Sequence, residues 1–170
     1  GYEWKPWELD FFVPMENLFN KVPVIIVRGN HEDCKRAYLG YKKFLHNENW
    51  DEECKEFESS QIIEFAHFTF VNIDTSAIDD KPELSTDVEK KWINEFNRVD
   101  KELTERKIKN VILVTHKPVY GVAPFLRTYV PTNLNLRKYL EKSNLIGKIH
   151  LILSGHIHTS MVIKTEKLPS

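Results

Sequence analysis

The sequence predicts an α/β fold. Apolar runs of strand length alternate along the chain with segments of helical periodicity, the pattern of a sheet with helices packed on it. Three of these runs stop abruptly at polar blocks: Gly29-Asn30-His31-Glu32, Thr115-His116-Lys117-Pro118 and Gly155-His156-Ile157-His158. Four of the seven histidines fall in these blocks, a concentration that packing does not explain. Ligands of open α/β sheets bind outside the carboxyl ends of the strands, which is where such blocks would sit.

The elements follow in order. Val22 to Arg28 is apolar and β-branched and ends at Gly29, a strand pattern. Asp33 to His46 reads as an irregular helix with Ala37, Tyr41 and Leu45 on one side. Glu48 to Glu58 is polar and acidic, a loop excursion. Ile62 to Phe65 and Phe68 to Asp74 read as two paired strands joined by a tight turn near Ala66-His67. Thr86 to Lys107 is the clearest helix. Thr86-Asp87-Val88-Glu89 fits a capping box, and Val88, Trp92, Phe96, Val99 and Leu103 form one apolar stripe. Val111 to Thr115 is a strand and Asn133 to Lys142 a short helix with Leu136 and Leu140 facing inward. Ile149 to Ser154 and Met161 to Lys164 complete the sheet. No linker divides the chain, so residues 1–170 read as a single domain.

Composition narrows the function. Hydrophobic residues make up 41% and charged residues 29%, ordinary for a globular chain with a core. Net charge is −1, which gives no broad field for nucleic acid or an acidic membrane. No apolar run approaches the ~20 residues of a membrane span.

The three polar blocks, in this order and each behind a strand, resemble the calcineurin-like metallophosphoesterases. The family pattern contains G-N-H-E, then a His after a strand, then G-H-x-H, and the likeness runs from about residue 7 to residue 160. The stretch from Val27 through Ala37 is similar to a bacterial branch of that family. The resemblance implies a sandwich of two β-sheets flanked by helices, incomplete at both ends. It also implies hydrolysis of a phosphate ester, monoester or diester, at a dinuclear metal site. The family pattern opens with D-x-H and G-D-x-x-D, and neither occurs in this chain. The chain is therefore expected to be part of a longer protein, with weak metal binding and little activity on its own.

The chemistry follows residue by residue from that resemblance. Asn30, His116 and His156 would hold one metal ion, and His158 would help hold a second. Imidazole nitrogen and carbonyl oxygen suit Mn, Fe or Zn. His156 and His158 are two residues apart, so on an extended segment they share a face; Gly155 would permit the turn that aims them. His31 is the catalytic candidate. It would protonate the leaving alkoxide or stabilise charge on phosphate oxygens, with a metal-bridging hydroxide as nucleophile.

Other residues carry plainer readings. Glu32 braces its loop and Asp74 is structural. Arg28, Lys117 and Tyr120 lie beside the ligand loops, although loop charges there are commonly just solvated. Gly121 to Pro131 reads as a loop over the substrate cleft. Cys34 and Cys54 are either a disulfide, which similar bacterial sequences suggest and which would indicate a periplasmic or secreted protein, or two free thiols in a cytoplasmic one. The competing reading is a non-catalytic scaffold of the same fold. Retention of all five site residues argues against it. A structural zinc module fits poorly, because such sites favour cysteine.

Overall fold

The computed structural model describes residues 3–46, 53–78 and 86–166. It is a mixed α/β structure with two sheets, as the sequence predicts. The helices are α1 (Trp4–Trp7), α2 (Val13–Phe19), α3 (Tyr38–Phe44), α4 (Thr86–Glu105) and α5 (Leu134–Glu141). The strands are β1 (Gln61–Glu64), β2 (Thr69–Ile73), β3 (Val111–Thr115), β4 (Gly121–Phe125), β5 (Thr128–Thr132) and β6 (Ile149–Ser154). The larger sheet has the order β1-β2-β3-β6. β1 is antiparallel to β2, while β2, β3 and β6 run parallel.

The core lies between this sheet and the helices that follow its strands. β3 alternates buried Val111, Leu113 and Thr115 with half-buried Ile112 and Val114, the period-2 signature of a strand with one fully covered face. Val71 and Ile73 of β2 and Ile149 of β6 join that face. Against it α4 places Trp92, Phe96, Val99 and Leu103, four of the five stripe residues; Val88 is partly exposed. Leu136, Tyr139 and Leu140 of α5 complete the cluster. Phe57 packs edge-on against Trp92 at 4.8 Å.

Several local features differ from expectation. The run from Val22 to Arg28 forms no strand ladder with any described residue. It crosses β2 through one side chain, Asn72 Nδ2 donating to Ile26 O at 2.9 Å. Residues 161–164 likewise form no ladder, and Val162 is almost fully exposed. An apolar β-branched run records the tendency to extend, but a strand also needs a backbone partner. Gly121 to Pro131, read as a loop, is the β4–β5 hairpin. Pro124 and Pro131 sit in it because both strands of a two-stranded sheet are edges, where a missing N–H is tolerated. In the first helical segment, Glu8–Phe12 is a π-helix. Pro14 lies just beyond, and its missing N–H and bulky ring disturb the α-helical ladder there.

The expected capping pair at Thr86 and Glu89 is not made by Glu89. Its carboxylate bonds Lys142 Nζ at 2.5 Å and ties α4 to the end of α5. Of the predicted Glu48 to Glu58 excursion, residues 48–52 lie outside the described residues, and the remainder is irregular.

Candidate metal centre

The parallel ladder brings two of the polar blocks together. Thr115 and Ser154 are register partners at the ends of β3 and β6. Their hydroxyls lie 2.8 Å apart, and the next backbone bond runs from Gly155 N to His116 O at 3.0 Å. The chain therefore leaves both strands at the same level, with His116 and His156 side by side, ring centroids 4.9 Å apart.

The third block arrives differently. Arg28, fully buried, donates from Nη1 to Asp74 Oδ2 at 2.8 Å, just past the end of β2. It also donates from Nε to Glu32 O at 2.9 Å and from Nη1 to Lys55 O at 2.8 Å, and it stacks over Tyr38 at 4.7 Å. Asp74 is saturated in turn by the N–H groups of Glu58 and Ser76. This network pins the Gly29–Asn30 turn to the sheet end in the absence of a ladder. At Gly29 a Cβ would come 2.5 Å from Glu32 Oε2, the far end of a flexible side chain, and 3.4 Å from the His116 ring.

Three donor atoms converge as a result. Asn30 Oδ1 and His116 Nε2 lie 2.8 Å apart, His116 Nε2 and His156 Nδ1 3.1 Å, and His156 Nδ1 and Asn30 Oδ1 3.2 Å. Two ligand atoms at right angles, each about 2.1 Å from one cation, stand about 3.0 Å apart. The triangle therefore has the size of three adjacent positions on a single cation, and its donor set suits Mn, Fe or Zn. Burial, then the neighbouring His156, Lys117, His31 and His158, push the His116 pKa down to about 4. Burial, then Lys117, His158 and His31, lower that of His156 as well. Both imidazoles thus keep a free lone pair near neutral pH.

The remaining candidates stand apart from the triangle. His158 is exposed and close enough to act electrostatically on both other histidines. His31 is exposed, and its Nδ1 meets Arg36 Nη1 at 2.9 Å. The extended-segment argument for His156 and His158 does not hold. Both residues have left-handed backbone, φ 73° and 56°, and among the described residues no glycine has positive φ. The turn strain, about 1–3 kcal/mol for each such residue, falls on the histidines and not on Gly155. Among the described residues no three His, Cys, Asp or Glu side chains form a metal-binding group; the convergent set is completed by an asparagine.

The flanking residues are engaged within the protein. Lys117 Nζ donates to Ile78 O. Tyr120 donates to Glu141 Oε1 at 3.0 Å, and burial followed by that bond pushes its pKa up to about 12. Cys34 and Cys54 form a disulfide with Cα atoms 5.5 Å apart. Among the described residues no helix is long and apolar enough to cross a membrane.

A cavity of about 390 Å³ opens beside Asn30, lined also by Cys34, Arg36, Ser76 and Lys117. Ser76 Oγ is buried without a hydrogen-bond partner among the described residues. Nothing local in the sequence marks it, since a serine after Thr75 is unremarkable until the fold buries it. A larger cavity of about 890 Å³ runs along the outer edge of β6 and contains none of the three donors.

The pattern of residues and the geometry can be set beside known proteins. No curated protein and no solved structure matches the chain significantly. A family model for calcineurin-like phosphoesterases matches residues 1–160. That span contains all three polar blocks and every strand of both sheets, and the chain belongs to the calcineurin-like phosphoesterase family.

Proposed function

We propose that the protein hydrolyses a phosphate ester, monoester or diester, with divalent metal ions held at the ends of β3 and β6. The observation that carries this reading is the convergence of Asn30 Oδ1, His116 Nε2 and His156 Nδ1 within 2.8–3.2 Å of one another. Metal dependence and phosphoester hydrolysis agree with the family. In this reading the three donors hold one ion and His158 contributes to a second, the dinuclear arrangement. When bound, the ions supply Lewis acidity and an acidified water as nucleophile at neutral pH.

The chain's own residues do the rest. Asn30 presents a neutral oxygen and the two histidines neutral nitrogens, so the site keeps the cation's full charge for the phosphate. Arg28 and Asp74 hold the asparagine turn in place. His31, next to Asn30 and exposed, would meet the phosphate or the leaving group. The disulfide fits an oxidising compartment, and we read the protein as periplasmic or secreted.

Metal content after equilibration with manganese or zinc, followed by removal of free ion, tests the reading. We expect weak but measurable metal binding in the wild type and its loss in His116→Ala, with the low hydrolysis of phosphomonoester or phosphodiester substrates lost in parallel. Equal metal content in wild type and variant would refute it. Stoichiometric metal without hydrolysis of either ester class would favour the non-catalytic scaffold.

A further inference from the structure

Two cavities meet at the donor triangle. The one of about 390 Å³ has Asn30 in its wall, and a second, of about 430 Å³, has His156 in its wall. Ile78 and Lys117 line both, and Lys117 Nζ donates to Ile78 O, so the two residues form one partition. Asn30 Oδ1 and His156 Nδ1 lie 3.2 Å apart. A cation on the triangle would therefore stand where the cavities adjoin. Their walls differ. Ile78, Ala123, Pro124 and Ile157 make the His156 side largely apolar, with Thr132 and Asn133 beside them, the character of a pocket for an apolar group. The β4–β5 hairpin supplies Ala123, Pro124 and Thr132, and it is fixed to both histidine loops. Asn133, at its end, donates from Nδ2 to Pro118 O at 3.0 Å, and at Gly121 a Cβ would lie 2.9 Å from Ile157 Cδ1. The Asn30 side is polar. Arg28 there is matched by Asp74, and Lys35, Arg36 and Lys117 share the wall with Asp33 and Glu56. Ser76 lines the same cavity, 3% exposed. Its Oγ has no hydrogen-bond partner among the described residues, a state that buried hydroxyls seldom keep.

We propose that the substrate is a phosphodiester joining an apolar alcohol to a hydroxylated one, the apolar arm lying on the hairpin side and the hydroxylated arm on the Asn30 side. The inference rests on the phosphoesterase reading and names its substrate class. Phosphorus in an ester is tetrahedral. A monoester held at the triangle carries one organic arm and fills one cavity; a diester carries two and fills both. The apolar arm gains by leaving water. The hydroxyls of the other arm both donate and accept, which matches a wall of cations, carboxylates and the Ser76 hydroxyl. Hydrolysis adds one water: its oxygen bonds phosphorus, one ester P–O bond breaks, and the departing alkoxide takes up a proton. The products are an alcohol and a phosphomonoester.

Two readouts test this. The first is calorimetric titration, in excess zinc, with phenylphosphonate and methylphosphonate, which reads the apolar side without turnover. We expect the phenyl compound to bind the wild type at least about 10-fold more tightly, the discrimination an apolar pocket gives. Ala123→Trp, which fills that cavity, should abolish the advantage. Pro124→Lys, at an exposed edge position, should abolish it too, and it decides the matter if Ala123→Trp does not fold. The second readout is hydrolysis of phenyl glyceryl phosphate and of phenyl phosphate. The diester should have the higher kcat/KM, by about 10-fold, and Ser76→Ala should shrink that ratio by raising KM for the diester. Equal binding of the two phosphonates to the wild type, or a phenyl advantage that survives both hairpin variants, would overturn the proposal. So would a higher kcat/KM for the monoester, or a ratio indifferent to Ser76→Ala. If neither ester is hydrolysed, the phosphoesterase reading fails, while the phosphonate titration still upholds or overturns the apolar pocket.

Discussion

His116 and His156 are delivered to the candidate site by a backbone ladder, whereas Asn30 is delivered by side chains. On the ladder side, β3 and β6 are in register up to Thr115 and Ser154, and α4 and α5 bury their inner face. On the other side, residues 22–28 share no ladder with the described residues. One buried ion pair, Arg28 to Asp74, and one disulfide hold that segment. A ladder spreads its free energy over many weak contacts. An ion pair concentrates it in two side chains, so the Asn30 half should be far more sensitive to single substitutions.

The largest effect should therefore come from Arg28→Met. It leaves the Asp74 carboxylate buried without its cation, a loss of about 3–5 kcal/mol, and it frees the turn that carries Asn30. Urea denaturation should show the lost stability, and calorimetric titration with zinc should show weakened binding in the fraction that remains folded. Unchanged metal affinity would mean that the ladder alone assembles the site.

Phe96→Ala probes the other side. It empties a fully buried aromatic position in α4 and should cost about 3–5 kcal/mol. Because Phe96 lies on α4 and supplies no donor atom, zinc affinity of the folded variant should match the wild type. A drop in affinity as large as that of Arg28→Met would erase the distinction between the two halves.

Opening the disulfide comes next. Cys34 and Cys54 are 20 residues apart, and the cross-link should contribute about 3 kcal/mol in the chain-entropy picture. Cys54 is followed by Lys55, whose carbonyl accepts from Arg28, so Cys34→Ser with Cys54→Ser should also loosen the Asn30 turn. Thermal unfolding with and without reductant gives the stability. Exchange of the backbone amides over residues 29–33 should quicken, while that over 112–115 should not.

How legible each half was follows from the same difference. The ladder side was readable because burial on a strand or helix leaves a periodic trace: Val111 and Leu113 at period 2, Trp92, Phe96, Val99 and Leu103 on a helical face. Histidine blocks immediately after such strands then announce which loops meet. The ion pair was not readable as a pair, since Arg28 and Asp74 are 46 residues apart and each alone looks like a loop charge. Nor did the β-branched run from Val22 show that it would lack a partner, because pairing belongs to the neighbour. The buried hydroxyl of Ser76 and the left-handed backbone at His156 and His158 depend on tertiary context that no local pattern carries.

Acid should act on the ladder side. Burial holds His116 near a pKa of about 4 in the folded chain, against about 6.5 when unfolded. Below pH 6.5 the unfolded chain gains a proton that the folded one refuses, so stability falls as pH drops toward 4 and this contribution levels off below it. Urea midpoints of the metal-free protein at pH 7.5 and 5.0 should differ, and His116→Gln should narrow the gap. An equal gap in both proteins would place the acid sensitivity elsewhere.

The smallest expected effect concerns Gly155, which the sequence reading expects to permit the turn that aims the histidines. Gly155 does not have positive φ, and a Cβ there would meet nothing closer than His116 O at 3.8 Å. Gly155→Ala should therefore be tolerated and even stabilising by about 0.5 kcal/mol, through the smaller conformational freedom of the unfolded chain. Gly121 is the contrast. A Cβ there would press on Pro118 Cγ at 2.7 Å and Ile157 Cδ1 at 2.9 Å, so Gly121→Ala should cost about 1–3 kcal/mol as overpacking. Ile157 lies between the two histidines of the third block, so that push would be felt where His156 is aimed. Midpoints of thermal unfolding for the two variants should move in opposite directions. If Gly155→Ala proves the more damaging, the turn does need glycine, and the left-handed strain would then belong at 155 rather than at His156 and His158.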